Sequence, residues 1–214
     1  SATSASALSS LANDTNSFVR HAVARNASTP ASALEKLGSD ADAGVRQNVA
    51  SNLSTPQSWL EKLANDNAAD VRAAVAENPA TSEFLLGELA LDNDSKVRQR
   101  VAENHNTPFE ALKTLANDIF SKVRASVATH PDIGTDLLEI LALNKDYQVR
   151  RKVVEHPATP TSLLRQLSVD KDTLVRVHVA RDSKTPAEVL EKLVQDRANW
   201  VREAAENNLI ASKN

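Results

Sequence analysis

Asp66-Asn-Ala-Ala-Asp70-Val71-Arg72-Ala-Ala-Val75-Ala76-Glu77-Asn78 decides the fold, because versions of it run from one end of the chain to the other. The Val-Arg pair stands at Val19-Arg20, Val45-Arg46, Val71-Arg72, Val97-Arg98, Val123-Arg124, Val149-Arg150, Val175-Arg176 and Val201-Arg202. Each pair follows the last by 26 residues, with no insertion. A fixed period of this length marks a stacked repeat array, in which no single unit can hide its apolar side alone.

Counted from the Val, one unit reads Val-Arg-x-x-Val-Ala-x-Asn-x-x-Thr-Pro-x-x-x-Leu-x-x-Leu-Ala-x-Asp-x-x-x-x, which accommodates two short helices. Thr-Pro at Thr29-Pro30, Thr55-Pro56, Thr107-Pro108, Thr159-Pro160 and Thr185-Pro186 announces the first. Thr is expected as its N-cap and Pro at its first helical position, where a missing N–H costs nothing. Leu pairs at i, i+3, such as Leu34/Leu37, Leu60/Leu63 and Leu164/Leu167, give it a narrow apolar stripe over about three turns. The second helix begins near an Asp and turns Val, Val and Ala inward. It ends at Asn26, Asn52, Asn78 or Asn104, where Asn suits a left-handed stop. His130, His156 and Asp182 take that slot later.

Thr3, Leu8, Leu11 and Asp14 match the same pattern, so eight helix pairs are expected within a single domain spanning 1–214: about 3–26, 29–52, 55–78, 81–104, 107–130, 133–156, 159–182 and 185–208. The Ser-rich first helix and Ala205-Glu206, a charge where other units place Ala, read as blunted ends of a nearly complete array.

Composition narrows the chemistry. Hydrophobic residues make up 41% of 214 residues but aromatics only 3%, so Leu, Val and Ala must build the core. With no cysteine there are no disulfides, thiolate metal sites or cysteine nucleophiles, which fits a reducing, cytoplasmic setting. No apolar run reaches the roughly 18 residues of a membrane span, and no signal peptide is visible. Residues 1–95 carry 6 basic and 12 acidic groups, and residues 96–214 carry 19 and 16. That distribution lacks the concentrated basic stripe of a duplex DNA binder.

The Asp66…Val71-Arg72 spacing resembles the ladder of HEAT-like α-solenoids. The longer string from Val71 to Asn78, with Thr-Pro-x-x-x-Leu-x-x-Leu-Ala-x-Asp beside it, resembles the bacterial leucine-rich repeat variant family along the whole chain. That resemblance implies an all-α, right-handed α-α superhelix of eight two-helix repeats, armadillo-like in type, with no enzymatic activity. The cysteine-ligated cluster of some members does not carry over. The period here is longer than that family's usual unit, so both helices are expected to be α rather than one α and one 3₁₀.

On a helical wheel the arginine flanks the buried face of the second helix in every unit. A buried guanidinium needs matched acceptors. Arg20, Arg46, Arg72, Arg98, Arg124, Arg150, Arg176 and Arg202 are therefore expected to bond Asp14, Asp40, Asp66, Asp92, Asp118, Asp170 and Asp196, within a unit or across to its neighbour, with Asn144 the exception. The competing reading is a track of arginines for a polyanion.

Candidate chemistry is sparse. His130 and His156 stand one repeat apart, too far to share a zinc ion whose ligand nitrogens lie ~2 Å away, and read as helix-end caps. No Gly-rich phosphate loop or nucleophile motif occurs, so no catalytic residue, metal or cofactor is expected. Trp59, beside the Leu stripe, is expected in the core.

The units differ on the exposed face of the second helix, expected to line the concave side. Gln47, Lys96, Gln99, Arg100, Lys122, Arg151, Lys152, His178, Arg181 and Trp200 there form the candidate partner-binding surface, mixed in charge but net basic across units four to seven. The expected function is a non-enzymatic, monomeric scaffold for a protein or peptide, acidic in character. The alternative is nucleic-acid or other polyanion binding through the basic stretch.

Overall fold

The computed structural model describes residues 4–212, and among these every regular element is an α-helix. Thr3, matched to the repeat in sequence, lies outside the described residues. The chain divides into two compact units, residues 1–115 and 116–214.

The first unit contains α1 (Ala5–Leu11), α2 (Ser17–Arg25), α3 (Ala31–Leu37), α4 (Ala43–Ser51), α5 (Gln57–Leu63), α6 (Ala69–Glu77), α7 (Glu83–Leu89), α8 (Ser95–Glu103) and α9 (Phe109–Leu115). The second contains α10 (Ser121–Val127), α11 (Thr135–Ala142), α12 (Tyr147–Glu155), α13 (Thr161–Leu167), α14 (Thr173–Arg181), α15 (Ala187–Leu193) and α16 (Asn199–Ala211). Odd-numbered helices carry the Leu stripe and even-numbered helices the Val-Arg pair.

Most odd-numbered helices have 7 residues, two turns rather than the three expected from the pattern. A helix this short is not stable in isolation. Its stripe is what holds it: Leu34, Leu60, Leu86, Leu112, Leu138 and Leu164 are fully buried against the Val and Ala face of the even-numbered helices. Each such Leu contributes about 1.5–3 kcal/mol by leaving water. At the N-terminal end the stripe thins, since Leu8 is buried and Leu11 is exposed. At the other end Glu206 is exposed, and α16 runs on to Ala211 instead of stopping after nine residues.

Within each unit the even-numbered helices pack closely on one another, whereas successive odd-numbered helices barely touch. A stack tighter on one side bends toward that side, so the even-numbered helices form the inner layer of each unit.

Three local expectations are corrected. Pro30, Pro56, Pro160 and Pro186 are themselves the N-cap residues, and the preceding Thr caps nothing at that end. Its hydroxyl turns back to the previous helix, as in Thr29 Oγ1 to the Val23 carbonyl at 2.6 Å and Thr55 Oγ1 to Val49 at 2.6 Å. The Asn at the end of the even-numbered helices is extended, with φ −77° and ψ 125° at Asn52, and no described residue has positive φ. Trp59 is half-buried rather than core. Its ring lies over Gly38, where an added Cβ would collide with it, and the Lys62 ammonium stands 4.2 Å from the ring centroid.

Candidate functional site

Two side-chain ladders fix the inner layer. In the first, Arg20, Arg46, Arg72, Arg150 and Arg176 each use the guanidinium fork twice, whereas Arg202 meets the Asp196 carbonyl and Asn199 instead of a carboxylate. Arg46 Nη1 donates to the carbonyl of Asp40, six residues back, at 2.8 Å, while Nε and Nη2 donate to both carboxylate oxygens of Asp66, twenty residues on, at 2.6 and 2.9 Å. Arg20–Asp40, Arg72–Asp92, Arg150–Asp170 and Arg176–Asp196 repeat the arrangement. The partner carboxylate thus comes from the next repeat, and the arginine's own Asp supplies its backbone oxygen. That Asp also accepts a backbone N–H two residues on, as Asp40 does from Asp42 at 2.9 Å, and so builds the turn into the helix.

The electrostatics follow. Hydrogen bonds from Arg20, Arg46 and Arg176 hold the carboxyl groups of Asp40, Asp66 and Asp196 below the usual carboxylate range, against the opposing effect of burial. At Asp92 and Asp170 burial is the largest influence and acts upward, yet the arginine and backbone bonds outweigh it and both are lowered. The guanidinium pKa values of Arg20, Arg46, Arg72, Arg150 and Arg176 are raised, chiefly by the same bonds. One rung is defective. Arg124 faces Asn144, which offers a single oxygen to Nη2 at 3.3 Å, and Arg124 Nε is buried without a partner.

The second ladder was not visible in the sequence. Asn52 Nδ2 donates to the carbonyls of Ala24 and Asn26, 2.8 and 3.0 Å away in the preceding repeat, while its Oδ1 accepts from the Ser54 N–H at 2.9 Å. Asn78 does the same one repeat on. His156 meets the same demand with one donor bond instead of two: Nδ1 accepts from Ala158 N–H at 3.1 Å, which leaves the proton on Nε2 to meet the His130 carbonyl at 3.1 Å. Asp182 cannot donate, and Lys184 does so instead, its ammonium reaching the His156 and Pro157 carbonyls at 2.9 and 3.0 Å.

What the ladders leave free is the outward side of the even-numbered helices. Close stacking covers more of it than the helical wheel implies: Ala73, Ala74, Ser126, Val177 and Ala204 are buried, and Gln47, Gln99, Arg100, Arg151, Lys152 and His178 half-buried. In the first unit Lys96 pairs with Asp70 at 2.5 Å. Arg100 pairs with Glu103 at 2.8 Å and lies 3.8 Å from Glu77, and Gln99 donates to Glu103 at 2.8 Å. In the second unit Glu155 gathers Lys152, His178 and Arg151 at 2.8, 3.2 and 3.4 Å. In this mixed stretch the cations are interleaved with carboxylates, while Lys122 and Arg181 stand exposed. The arginine ladder is turned inward on its acceptors and offers no polyanion track.

Two clefts open on this side, one in each unit. Phe18, His21, Arg25, Gln47 and Asn48 line the first, between α2 and α4. Arg181, Trp200, Glu203 and Asn207 line the second, between α14 and α16. Each sets an exposed aromatic, Phe18 at 81% or Trp200 at 57% exposure, beside an arginine and a carboxamide.

The profile for the family described as leucine rich repeat variant matches residues 18–42 and 69–94. A solved structure described as a leucine-rich repeat variant with a novel repetitive protein structural motif is 32% identical, with 83% of this chain and 71% of that chain covered and a TM-score of 0.65. This chain belongs to the leucine-rich repeat variant family. In this leucine-rich repeat variant both helices of the described pairs are α. Two further structures are more distant. An engineered protein is 19% identical, covering 94% of this chain and 76% of that one, at a TM-score of 0.40. A designed armadillo repeat protein in complex with a (KR)4 peptide is 16% identical, covering 98% and 99%, at 0.33. No curated protein matches this leucine-rich repeat variant.

Proposed function

We propose that this chain is a non-enzymatic scaffold, its eight repeats acting as one array over residues 1–214, that binds a polypeptide on the outward side of its even-numbered helices. The observation that carries the reading is the contrast within each repeat. Arg-Asp and Asn ladders hold the backbone in a fixed register, while the residues between them change from unit to unit and open into clefts pairing an aromatic with an arginine and a carboxamide. Amides satisfy a peptide backbone, the aromatic supplies apolar contact, and Arg181 and Lys122 select acidic side chains in the second unit. Cations tied to Glu155, Glu103 and Asp70 suit a mixed polypeptide better than a uniform polyanion. The partner set proposed is therefore Gln47, Lys96, Gln99, Arg100, Lys122, Arg151, Lys152, His178, Arg181 and Trp200, with Phe18, Arg25, Asn48 and Asn207 added.

The test is fluorescence anisotropy with labelled Asp/Glu/Phe-rich peptides and, in parallel, duplex DNA at ~50 and ~200 mM salt. Peptide binding that Arg181→Glu and Trp200→Ala each weaken at least about tenfold supports the reading. Binding indifferent to both variants sinks it, and DNA binding that collapses steeply with salt transfers the surface to polyanions.

A further inference from the structure

The other side of the first unit carries a patch that the repeat pattern does not require. On α7, Phe84 and Gly87 share one face, and Leu91 continues it just past the helix end, at i, i+3 and i+7. With Pro108 beside them they form an open cleft. Phe84 and Leu91 are 75% and 73% exposed, and Phe109 nearby is 47% exposed.

Gly87 is the informative residue. It sits inside a helix, where glycine is a poorer helix former than alanine. A Cβ added there would meet nothing within 4 Å, so no close approach in the fold asks for its absence. At the same position the first repeat places Ser9 and the other six place long charged side chains, Glu35, Glu61, Lys113, Glu139, Arg165 and Glu191. This repeat has no side chain at all to cover the ridge and keeps a dent between two exposed apolar groups, Phe84 and Leu91. The rim is acidic: Glu83 and Glu88 are exposed, line the cleft and have no ion pair among the described residues.

We infer that this cleft docks a basic, apolar peptide segment, one bulky apolar side chain seated in the dent at Gly87 between Phe84 and Leu91, with flanking Lys or Arg on Glu83 and Glu88. The charge of the rim selects the occupant. A carboxylate-bearing segment or an anionic lipid surface would face unpaired like charge there. The site lies on the outer helices of the first unit, so it is independent of the surface proposed above and opposite to it in charge preference.

The experiment uses the whole chain and three fluorescein-labelled nonapeptides: a Leu-Trp centre flanked by Lys, the same centre flanked by Glu, and a Ser-Ser centre flanked by Lys. The first is expected to bind at micromolar to sub-millimolar concentration and the other two at least about tenfold more weakly. Gly87→Gln fills the dent. It is expected to raise Tm by about 1–3 °C, as a better helix former, while weakening the first peptide at least about tenfold. A residue with a merely structural role would not move those two readouts in opposite directions. Glu83→Lys with Glu88→Lys should abolish the preference for Lys, and Arg181→Glu should change nothing. Absence of binding at ~1 mM, equal binding of the Glu-flanked peptide, or unchanged affinity in Gly87→Gln overturns the proposal. So does concentration-dependent dimerisation lost in Gly87→Gln, which would make a second copy the occupant.

Discussion

At the scale of single residues, the ladders turn one repeated demand into several chemical answers. An arginine held by two carboxylate oxygens and a carbonyl leaves little donor capacity unused, which is the condition for burying it at all. Arg124 fails that condition because residue 144 is Asn. Restoring the carboxylate with Asn144→Asp gives Nε the oxygen it lacks, and Asp146 two residues on is no obstacle, since Asp40/Asp42 and Asp170/Asp172 already coexist. Urea unfolding should show a gain of about 1–2 kcal/mol. His156 supplies a second prediction. Burial lowers its pKa, so between the unfolded value near 6.5 and the lower folded value the unfolded chain binds more protons, and stability falls as pH falls. His156→Asn, the residue of neighbouring repeats, should remove that slope in a pH series of melts and leave the loss below about pH 4 unchanged. That lower loss belongs to the ladder carboxylates, whose lowered pKa values give stability that is complete above the unfolded value near 3.9 and lost as they protonate.

At the scale of elements, helices of seven and nine residues exist here because their neighbours complete them. The Leu stripe, the Val-Ala face and the 26-residue period were legible because each is a pattern within one stretch of chain. Thr29 and Asn52 were misread because their acceptors lie elsewhere, six residues back on the preceding helix for the first and 26 to 28 back for the second. Local capping rules describe the nearest backbone, and here Pro30 takes the N-cap position while the Thr29 hydroxyl reaches back to the preceding helix. Trp59 was misplaced for a related reason: helical spacing put it beside the stripe, but Gly38 in the previous repeat lets the ring lie on the surface over a bare backbone. Gly38→Ala should therefore cost about 1–3 kcal/mol, because the ring must lift away. In a Trp59→Ala background the same substitution should cost nothing, a coupling that a double-mutant cycle measures.

At the scale of the whole molecule, the slots that vary could be located from sequence but their electrostatics could not. Lys96 and His178 were legible as part of a mixed, net basic stretch, but that they meet Asp70 and Glu155 of neighbouring repeats is set by how the repeats stack. A net charge of −3 over 214 residues gives no hint of that pairing. No described helix is long and apolar enough to cross a membrane.

The forward reach of each guanidinium has a consequence for how such a chain can change length. Excise residues 47–72 and Arg46 stands twenty positions ahead of Asp92, as it now stands ahead of Asp66, so the seam heals with its partners intact. An excision one residue shorter would leave that arginine opposite the wrong side chain. The shortened protein from the 26-residue excision should refold cooperatively and the 25-residue one should not, a difference that circular dichroism melts would expose. Duplication and loss of whole periods is therefore the kind of rearrangement this architecture absorbs without redesign.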